Sequence, residues 1–152
     1  MNNYTSLVTA IIQDAMTGAP PKKEVVLILG DTPQYLVDHA NFPELPIVIT
    51  GSVIEKACFD HGMPTSLLKR LPSILDNPKG LFKSASVHAA GSAVVLTIEI
   101  HQSSPIIIPI HPNKQMGRGK FYNVVASVYA KEGPNPADKW SREGLLLWQP
   151  NS

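Results

Sequence analysis

Apolar residues recur at helical spacing over residues 5 to 16, where Leu7, Val8, Ile11, Ile12 and Ala15 share one side, and Gly18 with Pro20 and Pro21 supplies the stop. Beyond Lys22 and Lys23 the pattern changes. Residues 24 to 30 form a short, β-branched apolar run that begins at Glu24 and predicts a buried strand, and residues 46 to 50 predict a second extended segment. Between them, Thr32 and Pro33 suit the N-cap and first turn of a short helix through Tyr35, Leu36 and Ala40. Ser52 and Glu55 have capping-box spacing at the start of a helix that carries Lys56 and ends near Gly62. A further helical stretch from Thr65 to Leu75 contains Pro72, which should kink or break it, and residues 76 to 80 read as a turn. The second half is different in kind. Residues 81 to 86, 93 to 100, 105 to 110, 121 to 131 and 144 to 148 are strand-like runs punctuated by Gly, Pro, Asn and Ser, the pattern of an antiparallel meander. Helices first and strands afterwards predict an α+β domain, with N-terminal helices packed on a four- to five-stranded antiparallel sheet.

Composition narrows this further. A chain of 152 residues, 43% of them hydrophobic, is sized for a single domain over residues 1 to 152. The single cysteine, Cys58, has no partner for an internal disulfide or a zinc site and reads as a small core residue. No apolar run approaches the roughly 20 residues that span a bilayer, and the N-terminus lacks a signal-peptide pattern, so the expectation is a cytoplasmic protein without a membrane partner. A formal net charge of +1 argues against wholesale coating of nucleic acid but leaves room for a local basic patch.

Three constellations carry candidate chemistry. The loop from His111 to Lys120 holds Lys114, Arg118 and Lys120 around two glycines, a set able to hold a phosphate, although the same composition suits a solvated hairpin loop. Lys56 and His61 lie five residues apart, about 140° around an ideal helix, so they converge only if the helix ends between them. An imidazole titrates near neutrality and suits proton transfer at a phosphate beside a stabilising lysine; a helix-end histidine stabilised by the helix dipole is the alternative. Asn123, Ser127, Tyr129 and Lys131 alternate with Val124, Ala126 and Val128, which predicts one polar strand face able to stack a base and bond a ribose or phosphate, or merely a half-exposed strand. His39, His88 and His101 have no metal-like spacing, and no metal or cofactor motif is present. Trp140 and Trp148 read as core or sheet-covering aromatics.

Taken in order, the segments LGDTPQYL, LPIVITGSVIEKACFDHGMP, LLKRLPSILDNPKGLFKS, AVVLTIEI, SPIIIPI, FYNVVASVYAKE and GLLLW resemble the MuF C-terminal nuclease-like domain of phage and mobile-element proteins over roughly residues 25 to 150. The resemblance implies a barnase-EndoU-colicin-RelE-like fold and a toxin-like, metal-independent endoribonuclease that needs no cofactor. His61 then matches the family's helix-end histidine, Lys56 the lysine before it, and Ser127 with Asn123 the polar positions of the late strand. The expected catalytic set is His61, Lys56 and Ser127, and the expected substrate-binding set is Asn123, Tyr129, Arg118, Lys114 and His111. RNA is the expected partner, with an immunity or host protein as a second. An inactive nuclease-like scaffold that binds a host protein or nucleic acid is the alternative function.

Overall fold

Helix α1 (Tyr4–Met16) forms where the spacing predicts it and buries Tyr4, Val8, Ile11 and Ile12. The Tyr4 hydroxyl donates to the Leu68 carbonyl at 2.6 Å, which ties the helix to a segment 64 residues away. The computed structural model describes residues 3–20, 25–85, 91–133 and 135–150. The expectations placed on Pro21, Lys22, Lys23, Glu24, Ser86 and His88 fall outside the described residues.

After α1 come β1 (Val26–Asp31), α2 (Gln34–Ala40), β2 (Pro46–Thr50) and α3 (Gly51–Glu55), which runs on into a π-helical turn (Lys56–Asp60). Then follow α4 (Thr65–Lys69), α5 (Leu71–Asp76), β3 (Pro78–Lys83), β4 (Ala93–His101), β5 (Ser104–Gln115), β6 (Phe121–Val125), β7 (Tyr129–Ala130), α6 (Pro136–Arg142) and β8 (Leu146–Trp148). The fold is α+β. Pro72 does break the helical stretch, since α4 stops at Lys69 and the proline sits in the first turn of α5, where its missing N–H costs nothing.

The sheet is larger than expected and mixed. Its order is β1-β2-β6-β5-β4-β3-β8, with β7 also pairing β5. Strands β3 to β6 form the anticipated antiparallel meander, but β2 runs parallel to β6 and brings β1 in with it. The physical reason lies in β2, whose Ile47, Val48 and Ile49 are all buried. A strand apolar on both faces belongs inside a sheet, and a parallel partner requires a long crossover, here supplied by α3 to β5.

Two apolar clusters lie on opposite faces of this sheet. The larger joins α1, α3, α4 and α5 to Leu27, Ile49, Val95, Ile106, Ile108, Ile110, Val125 and Val128. The smaller unites Phe82, Leu96 and Ile107 with Trp140 of α6, whose ring meets Phe82 edge-on at 5.2 Å. Helix α6 is missing from the strand-rich reading of the second half, although Asn135-Pro136 carries a start signal: the Asn135 side chain accepts from the Ala137 N–H at 2.9 Å.

Several local expectations shift by a few residues. Thr32 does not cap α2; its hydroxyl donates to the Leu45 carbonyl, and the helix begins after Pro33. The cap of α3 is Thr50 rather than Ser52, because the chain turns from β2 into the helix without a linker and the Thr50 hydroxyl is the one that meets the Val53 N–H, at 3.4 Å. The turn at residues 76 to 80 is shorter than expected, since Pro78 already pairs with Thr97. Cys58 packs partly buried against the larger cluster.

Candidate active site

The expected strand over residues 121 to 131 is two strands separated by a β-bulge. On β5, Ile110 pairs with Val125 and Ile107 with Tyr129, so the five residues 125 to 129 oppose the four residues 107 to 110. The Ala126 N–H still donates to the Pro109 carbonyl at 2.8 Å, which keeps the pair joined through the irregularity. One extra residue reverses the alternation. Val125, Val128 and Ala130 therefore all meet the helix-covered core, whereas Tyr129 packs with Ile107 and Leu96 on the opposite face. Asn123, Ser127 and Tyr129 do not share one polar face, as a uniform period of two requires. Ser127 sits in the bulge, partly exposed, two residues before Tyr129.

The helix that carries Lys56 and His61 neither ends between them nor continues as an α-helix. It widens. The His61 N–H donates to the Lys56 carbonyl at 3.0 Å, an i to i+5 bond that closes one broad turn and sets the two backbone positions one turn apart. Gly62 follows at φ +69, and the Met63 N–H reaches back to the Ala57 carbonyl at 2.9 Å, a Schellman-type end in which Met63 is buried beside Ala57. This end fixes His61 at the sheet, where its ring lies 5.6 Å from that of Tyr129 at a 42° tilt. Two candidates 68 residues apart in sequence thus meet. Burial holds the Tyr129 hydroxyl above the ordinary tyrosine range, so it stays protonated at neutral pH. Lys56 is exposed and lines a shallow groove with Ser52, Glu55, Phe59 and Asp60.

Asn123 is not available to a substrate. It is 0% exposed, and its amide nitrogen donates to the Thr32 hydroxyl at 2.8 Å and to the Pro43 carbonyl at 2.9 Å. Its oxygen accepts from the Asn113 N–H at 3.0 Å. Both donors are used in holding the loops on either side of α2 against β5 and β6.

His111, Lys114 and Arg118 lie away from His61. His111 is four residues along β5 from Ile107, the partner of Tyr129, and Lys114 is seven, or about 13 and 23 Å at strand spacing. The His111 Nδ1 bonds the Ser92 hydroxyl at 2.5 Å. Ser92 escaped the sequence reading because only the β4–β5 register brings it to His111. Burial, and secondarily the Lys114 charge, hold the His111 imidazole below its ordinary value of 6.5. The unfolded chain therefore binds this proton more readily, and stability present above about pH 6.5 is lost as the pH falls from there through the folded value. Between pH 7.5 and 5.5 the melting temperature of the wild type should fall more steeply than that of His111→Asn. Parallel curves would show that this histidine does not carry the dependence.

A concavity of about 530 Å³ between α1 and β1 lies elsewhere, lined by Tyr4, Leu7, Ile28 and Gly30, and among the described residues its lining holds no carboxylate, imidazole or amine side chain. Among the described residues no group of three or more His, Cys, Asp and Glu side chains is placed to hold a metal ion, and no helix is long and apolar enough to cross a membrane. Residues 52–152, about two thirds of the chain, match the family model described as the phage MuF-C-terminal domain. The matched span contains Lys56, His61, Ser127 and Tyr129. No curated protein and no solved structure matches the chain.

Proposed function

The chain belongs to the phage MuF C-terminal domain family, and from that premise we propose that it is an endoribonuclease whose reaction is centred on His61 and Tyr129. The observation that carries this reading is the ring contact between them, which joins a helix-end imidazole to a protonated phenol at a partly exposed place on the sheet. One group that exchanges a proton readily and one that donates a hydrogen bond are what a phosphodiester transfer within RNA requires from side chains.

In the proposed step the ribose 2′-hydroxyl loses its proton to a base as the 2′-oxygen forms a bond to the adjacent phosphorus. The bond from phosphorus to the 5′-oxygen breaks, and that oxygen takes up a proton. The products are a 2′,3′-cyclic phosphate and a 5′-hydroxyl end. His61 is the base that takes the 2′-hydroxyl proton and later returns it to solvent, water supplies the proton to the leaving 5′-oxygen, Tyr129 donates to a phosphate oxygen, and Ser127 in the bulge positions the ribose. Lys56, one π-turn from His61, stabilises the phosphate charge.

The 2′-hydroxyl is the nucleophile in this scheme, which supplies the test. Purified protein with EDTA should cut an RNA oligonucleotide to cyclic-phosphate ends and leave uncut the same strand with 2′-deoxyribose at the cleaved position. Cleavage of both, or of neither, would overturn the reading.

A further inference from the structure

Alternation along β5 is regular from Ile106 to Ile110, with Ile106, Ile108 and Ile110 in the helix-covered core and Ile107 on the opposite face. His111 therefore projects from the same face as Ile107 and its partner Tyr129. Ser92 precedes the core residue Ala93 and lies on that face too, in agreement with its bond to His111. Beyond His111 a second irregularity separates it from Lys114, and the strand runs into a tight hairpin closed by the Met116 N–H on the Lys120 carbonyl at 2.8 Å. Gly117 and Gly119, at φ +103 and +70, make that turn.

We infer that the Ser92–His111 pair and the hairpin cations Lys114, Arg118 and Lys120 form a phosphate-binding subsite for single-stranded RNA that lies on the same sheet face as Tyr129, begins at His111 about 13 Å along β5 from it and extends past Lys114 at about 23 Å. The inference rests on the RNA-cleavage reading of the His61 site and defines where the strand runs. His111 is suited to this role in a specific way. When the Ser92 hydroxyl donates to Nδ1, the neutral ring carries its proton on Nε2 and presents a donor. The Lys114 charge acts on this ring, which places a cation beside that donor. Lys114, Arg118 and Lys120 are exposed, and among the described residues none of the three is in an ion pair. At the roughly 3.4 Å rise of a stacked strand the separation of about 13 Å to His111 is about four nucleotides and that of about 23 Å to Lys114 about seven, and fewer for a stretched strand. A dinucleotide seated at His61 cannot reach the hairpin, whereas an octamer can.

The test is fluorescence anisotropy with uncleavable 2′-O-methyl RNA, a dinucleotide and an octamer, against the full chain as wild type, His61→Ala and the exposed double variant Lys114→Ala/Arg118→Ala. The wild type should bind the octamer roughly tenfold more tightly than the double variant does, with dinucleotide binding the same in both. The slope of log affinity against log salt for the octamer should be shallower by about 1.4 in the double variant, because two fewer phosphates are neutralised by the protein. His61→Ala should keep the full advantage of the octamer. An octamer affinity and salt slope unchanged in the double variant would overturn the subsite, as would an octamer advantage lost in His61→Ala but kept in the double variant. Should the wild type cut no RNA and yet show the hairpin-dependent advantage, the subsite stands and the cleavage reading alone falls.

Discussion

His61→Ala is expected to slow RNA cleavage by about a hundredfold or more, the range for losing a positioned proton-transfer group. The fold should survive the change. His61 is partly exposed at a helix end, its ring meets that of Tyr129, and an aromatic pair of this kind contributes about 1 kcal/mol. Folding of the variant is checked by its melting temperature, and its activity by the initial rate on a defined oligonucleotide. Tyr129→Phe sharpens the result because it keeps the ring beside His61 and removes only the hydroxyl. If that hydroxyl donates to a phosphate oxygen, the phenylalanine variant is impaired while remaining as stable as the wild type. Equal rates for wild type and His61→Ala would rule out catalysis at this pair and would favour the alternative of a binding scaffold.

The π-helical turn explains why this site was only half legible in the sequence. The spacing of Lys56 and His61 was visible, and so was Gly62 as a helix stop, but on an α-helix five residues leave the two about 140° apart. The widened turn resolves that discrepancy, and it is set by a tertiary condition: Ala57 and Met63 must both be buried while the chain reverses at Gly62. Tyr129 was legible as a polar residue of a late strand, but not its face. A single extra residue near Ser127 reverses the side from which it projects, and bulges leave no fixed mark in a hydrophobic pattern. The meander from β3 to β6 was readable because each strand is a compact apolar run between turn residues. The parallel β2–β6 pair was not, since local pattern says nothing about which distant strand a buried one will choose.

The same bulge separates the roles of two residues that sequence spacing grouped together, and Asn123 tests the separation. Asn123→Ala should destabilise the protein by about 3 kcal/mol or more, read as a lower urea midpoint with an unchanged slope. The change deletes three hydrogen bonds at a site that is 0% exposed and leaves the Asn113 N–H and the Pro43 carbonyl without their partner. Each of the three bonds contributes about 1 kcal/mol net, and a partner that water cannot reach costs more when abandoned. Asn123→Asp is expected to be no better, because a carboxylate keeps the acceptor for Asn113 but cannot donate to Pro43, and burying its charge adds a further penalty. A substrate-binding asparagine would behave in the opposite way, with the urea midpoint unmoved and KM raised. If Asn123→Ala gave that outcome, the clamp between the loops on either side of α2 and β5–β6 would have to be discarded as the reason for this residue.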